Sequence, residues 1–228
     1  AALVIPFDEQ IHKLFEAMPK ETKDLYPHFR EIDYFRAVID KFTQDPAKQT
    51  RNFPPFGPLA EYEWPAEHRL KKRHENLAPI IEAGSGTGHF LVHETLKMLI
   101  EHLEPGVHTF HPIAITIPRE TVYPVQYYTI MIGNWIDSFL PTVSDTDCFR
   151  AKMGSFFING YTKHDMGGLV LSPERFGKAH FWREKKLLTP DIFISDTLHE
   201  HIVKAGLVMH KTFQLSEGLP KRFQIDRD

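Results

Sequence analysis

The chain has 228 residues, of which 42% are hydrophobic and 25% are charged, and its formal net charge is -3. This length and composition are those of a globular protein with a substantial core, and the charge balance excludes the basic footprint of a nucleic-acid-binding protein. A single cysteine, Cys148, excludes an internal disulfide and a cysteine-based zinc site, and no apolar stretch reaches the roughly 20 residues that cross a bilayer.

The opening residues, AALVIPFDEQ, form too short an apolar stretch for a secretory signal peptide and lack its basic flank. One unpaired cysteine also favours a reducing compartment. We therefore expect a cytoplasmic protein without a membrane partner, in which Cys148 is a small, partly buried apolar residue.

The N-terminal region, residues 1–76, is predicted to be helical. Asp8 can cap a short helix that ends near Met18, and residues 27–44 carry apolar side chains at spacings of three and four, which is typical of an amphipathic helix. The segment RNFPPFGPLAEYEWPA (51–66) then has four prolines and several aromatic residues. It predicts an irregular linker, so that the whole region packs on the domain that follows.

Two interpretations compete for residues 78–117. The segment EAGSGTG, from Glu82 to Gly88, resembles the glycine-rich loop of class I methyltransferases that use S-adenosylmethionine. Pro79, however, removes a hydrogen bond from what should be a central parallel strand, and VHTFHP (107–112) lacks the acid expected about 20 residues further on. We favour a structural unit of strand, helix and strand, and we keep a methyltransferase as the alternative function.

Composition predicts the next elements in chain order. They are strands over 125–132 and 155–161, an acidic loop over 137–147, a turn over KHDMGG (163–168), and a strand-to-helix segment over 169–177. In the last of these, Ser172 suits the N-cap of the helix, Pro173 its first turn and Gly177 its end.

The clearest local pattern lies near the C-terminus. Three apolar residues, IFI (192–194), precede a cap at Ser195 or Asp196, and Gly206 ends the helix that follows. Residues 208–213 then predict a strand.

This C-terminal pattern repeats an earlier one. FLVHETL (90–96) and IFISDTL (192–198) share three apolar residues, a polar cap, an acid and Thr-Leu. The sequence therefore predicts an internal repeat over 90–113 and 192–215. The fold class is α+β (mixed α/β): repeated strand-helix-strand modules around a mixed sheet in a domain over 77–228, preceded by the helical region.

The modules resemble a family of bacterial immunity proteins that accompany polymorphic and type VI-delivered toxins. The segments that carry the resemblance span residues 78–216: FLVHETL (90–96), EPGVHTFHPI (104–113), QYYTI (126–130) leading to NWID (134–137), and PDIFISDTL (190–198) leading to AGL (205–207) and Phe213. His93 stands where family members commonly have a serine cap, and Ser144 and Asp145 are shifted from the usual acid–serine pattern.

The resemblance implies binding without catalysis, a cognate protein toxin as partner, and no cofactor or metal. Such a protein neutralises its toxin in the cytoplasm by covering the toxin's active site. Toxins that attack nucleic acids tend to be basic, so acidic residues are natural complements. As a hypothesis, Asp145, Asp147, His164 and Asp165, on predicted polar loops, form part of the contact.

Overall fold

The computed structural model describes residues 2–4, 12, 15–17, 20–25, 59, 64–65, 67–70, 76–83, 89–117, 121–152, 155–187, 192–209 and 212–218. The chain divides into two compact units, Ala1–Gly133 (unit 1) and Asn134–Asp228 (unit 2). The predicted helix over 27–44 and most of the proline-rich segment 51–66 lie outside the described residues. A helical N-terminal region over 1–76 is not confirmed, since its described residues include two strands as well as a helix.

Unit 1 is built around a seven-stranded sheet. Its elements in chain order are β1 (Ala2–Val4), α1 (Lys20–Leu25), β2 (Glu67–Arg69), β3 (Ile80–Glu82), β4 (Phe90–His93), α2 (Glu94–Leu103), β5 (Thr109–Ile117), β6 (Thr121–Val122) and β7 (Tyr127–Met131). The order across the sheet is β1–β2–β5–β7–β4–β3, and β6 pairs with the end of β5. β2 and β5 are parallel and the other pairs are antiparallel, so the predicted mixed sheet is confirmed.

The central strands of unit 1 bury apolar residues on both faces of the sheet. Helix α2 packs on β4 and β7, and its Leu96 and Ile100 are completely buried. Because side chains alternate along a strand, the other face carries a second set of apolar residues. This cluster comprises Leu70, Ala83, Leu91, Ile113, Ile115 and Tyr127.

Helix α2 begins at the polar cap that the repeated pattern predicts. The Nδ1 atom of His93, the N-cap, accepts a hydrogen bond from the backbone N–H of Thr95 at 3.0 Å. Beyond the C-terminus, Gly106 has φ 74°, a left-handed conformation that glycine adopts without steric cost. The first copy of the strand-helix-strand module is therefore present as β4, α2 and β5.

The glycine-rich segment 84–88 joins two antiparallel strands. Ile81 of β3 lies opposite Leu91 of β4, and the N–H of Ala83 donates to the carbonyl of His89 at 2.8 Å. The cofactor loop of a methyltransferase instead leads from a strand into a helix within a parallel unit. The described part of the chain therefore lacks the structural context on which the alternative function depended.

Unit 2 contains three small sheets. Its elements are β8 (Trp135–Ile136), a 3-10 helix (Thr146–Cys148), β9 (Phe149–Lys152), β10 (Ser155–Ile158), α3 (Lys163–Gly167), β11 (Val170–Leu171), α4 (Pro173–Phe176), β12 (Phe181–Glu184), β13 (Ile192–Ile194), α5 (Asp196–Lys204) and β14 (Ser216–Glu217). β12 lies between β13 and β8, β9 and β10 form an antiparallel pair, and β11 is parallel to β14. Among the residues described in both units, no helix has the length and apolar character needed to cross a membrane.

An aromatic core joins these sheets. Phe139, Phe149 and Phe156 meet edge to face with ring centroids 5.2–5.4 Å apart, and Trp182 lies between the rings of Phe176 and Phe193. Edge-to-face and stacked pairs stabilise a core beyond the burial of their area. The other buried members of this cluster are Cys148, Ile158, Met166, Leu169, Leu171 and Leu187.

The second copy of the module is present in part. Ser195 is the N-cap of α5 and accepts from the N–H of Leu198 at 3.1 Å, and Gly206, at φ 71°, follows the helix, as predicted. The predicted exit strand over 208–213 is not confirmed, since its described residues have no strand pairing. Val208 is 82% exposed, and a repeated strand-helix-strand module is not confirmed.

The prediction of a turn over 163–168 was wrong. Lys163–Gly167 is a short helix, because Thr162 and Asp165 form a capping box at its start. The short helix after β11 is confirmed: Ser172 is its N-cap, Pro173 lies in its first turn and Gly177 ends it at φ 54°.

Candidate interaction site

The four residues predicted to contact a partner lie on two neighbouring elements of unit 2. Asp145 is the N-cap of the 3-10 helix and Asp147 lies in its first turn, whereas His164 and Asp165 belong to α3. The backbone joins the two elements directly, since the N–H of Asp145 donates to the carbonyl of Gly168 at 2.8 Å. We call these four residues the acidic patch. The structure brings them together from segments about 20 residues apart.

The side chain of Asp165 also stabilises the start of α3. Its Oδ2 accepts from the N–H and the hydroxyl of Thr162 at 3.1 and 2.6 Å, while its own N–H donates to Thr162 Oγ1 at 3.1 Å. The hydroxyl and then the N–H of Thr162 hold the pKa of Asp165 below its usual range. This carboxylate therefore stays ionised while it stabilises the start of α3.

Close packing holds the 3-10 helix against α3. A Cβ atom on Gly168 would lie 2.3 Å from Cys148 Sγ and 2.8 Å from Asp145 Cβ, which no side chain tolerates. The thiol of Cys148 donates to the carbonyl of His164 at 3.6 Å. Only glycine lets the two elements approach this closely, so the acidic patch rests on a rigid base.

Cys148 is fully buried, whereas the sequence predicted a partly buried residue. Burial raises the pKa of its thiol, and the carboxylates of Asp145, Asp165 and Asp147 raise it further. A thiol with a raised pKa in a dry core is a weak nucleophile. Cys148 therefore belongs to the scaffold beneath the patch.

Exposure differs among the four patch residues. Asp147 and His164 are exposed to solvent, whereas Asp145 and Asp165 are half-buried. Within the part of the chain that the structure describes, no three His, Cys, Asp or Glu side chains are grouped closely enough to hold a metal ion. The arrangement can thus present negative charge and hydrogen-bond acceptors to a partner.

Sequence reasoning missed the turn that precedes α3. The backbone N–H of Asn159 donates to the carbonyl of Cys148 and its side chain to the carbonyl of Asp147, both at 2.9 Å. A Cβ atom on Gly160 would lie 2.6 Å from Asp165 Oδ2. Between these anchors Tyr161 is 50% exposed. The signal in the sequence was the order Asn-Gly-Tyr-Thr before an acid, which fits a tight turn leading into a capping box.

A second polar cluster, also missed, stabilises unit 2 from within. Glu184 of β12 is buried and accepts from the N–H of Ser138 at 2.9 and 3.0 Å and from its hydroxyl at 2.6 Å. Burial raises the pKa of Glu184, although these hydrogen bonds act in the opposite direction. The carboxylate thereby ties the chain after β8 to β12.

Unit 1 has a comparable buried pair at the end of α2. His108 Nε2 lies 2.9 Å from Glu104 Oε2, and the N–H of Gly133 donates to His108 Nδ1 at 3.2 Å. Because Nδ1 accepts that bond, Nε2 carries the proton and donates to Glu104. Both residues fall in the EPGVHTF segment, which explains why this segment contains an acid and a histidine four residues apart.

Within each unit, the buried polar groups Glu184 and His108 hydrogen-bond within the protein and support its packing. Comparison with protein families specifies the class. Residues 13–213 match the model of an immunity protein family (Imm11), so the chain belongs to that family. No curated protein matches the chain. Membership in an immunity family implies a toxin as partner and points to a non-enzymatic role.

Proposed function

We propose that the chain binds a cognate bacterial toxin of the polymorphic or type VI-delivered kind and neutralises it by covering the toxin's active site. The proposal rests on the match to the immunity family over residues 13–213. It places the protein in the cytoplasm of the toxin-producing cell, where the toxin would otherwise act. It requires no cofactor and no chemistry by the chain itself.

The acidic patch supports the proposal as a contact surface. Three carboxylates and one histidine lie on a closely packed base, and Asp147 and His164 face solvent. A closely packed backbone loses little conformational freedom on binding, and negative charge steers a basic partner towards the surface. A stable complex would bury about 1,600 Å² in total, so the patch would form one part of a larger interface.

Co-expression tests the proposed function. The toxin domain encoded by the gene next to this chain would be expressed in a sensitive bacterium with and without the chain. We expect growth to be restored only when the chain is present, and we expect the purified pair to elute as one complex. Continued killing despite abundant folded chain, with no complex formed, would refute immunity towards that toxin.

S-adenosylmethionine separates this proposal from the alternative function. A ligand at 100 times its dissociation constant stabilises a protein by about 2.7 kcal/mol. We expect no change in melting temperature with S-adenosylmethionine and a clear increase with the inactivated toxin domain. The opposite pattern would favour a methyltransferase.

Charge reversal at Asp147 tests the acidic patch. Asp147 is exposed, so Asp147→Lys should leave the fold intact. We expect it to weaken toxin binding about tenfold or more, because opposing like charges across an interface costs several kcal/mol. The loss should shrink at high salt, since screening weakens exposed charges.

Glu200→Lys is the matched control for this substitution. Glu200 is also exposed in unit 2 but lies on α5, and the charge change is the same. Calorimetry should show unchanged affinity for Glu200→Lys. If both variants bind as the unmodified chain does, the acidic patch is not part of the interface.

A further inference from the structure

The turn over 159–162 carries an exposed aromatic side chain between two hydrogen-bonded residues. Asn159 is bonded to the carbonyls of Asp147 and Cys148 on one side. On the other side, the N–H and hydroxyl of Thr162 bond to the carboxylate of Asp165. Tyr161 lies between the two anchors with half of its surface exposed. Several hydrogen bonds and a tightly packed glycine, Gly160, thus stabilise this turn.

An exposed tyrosine on a rigid support has the properties of an interface anchor. Tyrosine is enriched among the few residues that dominate binding energy, because its ring offers a large contact area with two rotatable bonds. Other large apolar side chains that are exposed in unit 2, Val203 and Val208, lie on α5 and just beyond it. Of these three, Tyr161 alone is adjacent to the acidic patch.

The neighbours of Tyr161 define the chemistry of the partner. Gly160 and Thr162, on either side of it, both lie against the carboxylate of Asp165. Asp147, whose carbonyl holds the same turn, is exposed. A guanidinium group is attracted to the face of a tyrosine ring and to a carboxylate at the same time. The chemistry of this patch therefore suits a basic protein surface that carries arginine.

We propose that Tyr161 is the central anchor of the toxin interface, seated against a basic, arginine-bearing surface of the toxin with the acidic patch beside it. This inference rests on the proposed function and adds to it the residue that dominates the contact. The ring makes the largest single contribution to the affinity, and the surrounding carboxylates set the rate of association and the choice of partner.

Affinity measurements with Tyr161 variants test this proposal. The probe is the catalytically inactivated toxin domain encoded beside the chain, titrated by surface plasmon resonance. We expect Tyr161→Ala to weaken binding on the order of 30-fold, about 2 kcal/mol at 1.4 kcal/mol per tenfold, chiefly through faster dissociation. Tyr161→Phe retains the ring and should stay within about threefold. The control Val208→Ala, at a side chain that is 82% exposed, should bind as the unmodified chain does.

Hydrogen exchange on the same complex provides a readout that does not depend on the folding of a variant. Amides over 159–165 should become more protected when the toxin domain binds. Absence of that protection, or a Tyr161→Ala variant of unchanged melting temperature that binds within about threefold of the unmodified chain, would overturn the proposal. If the unmodified chain itself fails to bind and to protect, the proposed function fails instead.

Discussion

His93 is an unusual N-cap residue for a helix. Serine, threonine, aspartate and asparagine are the preferred N-caps because each offers an oxygen to the free N–H groups of the first turn. His93 supplies Nδ1 for the same purpose, and its ring also packs edge to face against Tyr127 with centroids 5.6 Å apart. The substitution of a ring for a hydroxyl therefore combines a cap with a core contact.

Replacement of His93 would measure how much the cap and the ring contact with Tyr127 each contribute to stability. We expect His93→Ala to lower the free energy of unfolding by about 1 kcal/mol or more, because it removes the cap and the ring contact together. His93→Ser should recover the part that belongs to the cap. Urea denaturation at pH 7.5 would measure both, and equal stability of the alanine and serine variants would mean that Nδ1 contributes nothing.

The caps and helix ends could be predicted from the sequence because they depend on neighbouring residues. Ser195 was one of two predicted caps for α5, and Gly206 was predicted to end that helix, as observed. Helix α3 was missed, since KHDMGG has the composition of a turn and its stability comes from Thr162, which stands just before that segment. Strand pairing depends on distant partners, so the antiparallel hairpin of β3 and β4 could not be read locally.

The candidate site stays a prediction, and the sequence indicated its residue types but not how they are arranged in space. An acidic composition pointed to Asp145 and Asp147, and a polar one to His164 and Asp165. Their meeting point depends on the close approach at Gly168, which is a property of the packed elements. Tyr161 could not be proposed from the sequence, because the exposure of a side chain is a tertiary property.

Two adjacent glycines test the importance of this close approach. At Gly168 an added Cβ would clash with Cys148 and Asp145, whereas at Gly167 it would meet nothing within 4 Å. We expect Gly168→Ala to destabilise the protein by about 1–3 kcal/mol, as overpacking does, and to weaken toxin binding by distorting the acidic patch. Gly167→Ala, at the last residue of α3, should be neutral or slightly stabilising.

Thermal and chemical denaturation would measure the difference in stability between the Gly168→Ala and Gly167→Ala variants. Their difference cancels the effect that any glycine-to-alanine change has on the unfolded chain. If the two variants are equally stable, the 3-10 helix and α3 have room to separate, and the patch lacks the rigid base on which its preorganisation depends.

At the scale of the whole molecule, buried polar groups make folding sensitive to pH. His68 of β2 is completely buried, faces the apolar core of unit 1, and neither ring nitrogen has a hydrogen-bond partner among the described residues. Burial lowers its pKa from 6.5 to about 4. The folded chain therefore keeps this imidazole neutral at pH values where the unfolded chain binds a proton.

The sign of the pH dependence follows from that difference in proton binding. Between pH 6.5 and about 4 the unfolded state takes up a proton that the folded state does not, so stability falls as the pH falls through this window. At about 1.4 kcal/mol per pH unit, the loss due to His68 reaches about 3 kcal/mol at the lower end. Above pH 7.5 the contribution of His68 to the pH dependence vanishes, because its imidazole is neutral in both the folded and the unfolded state.

His68→Leu should remove the loss of stability that His68 causes at low pH, while filling the same apolar site. We expect the variant to match or exceed the unmodified chain at pH 7.5, since an unpartnered buried polar group is replaced by an apolar one, and to lose less stability towards pH 4.5. Hydrogen exchange at several pH values would follow peptides of unit 1 and unit 2 separately. The variant should flatten the pH dependence in unit 1 and leave unit 2 unchanged, and an identical slope with leucine would show that other groups cause the acid sensitivity.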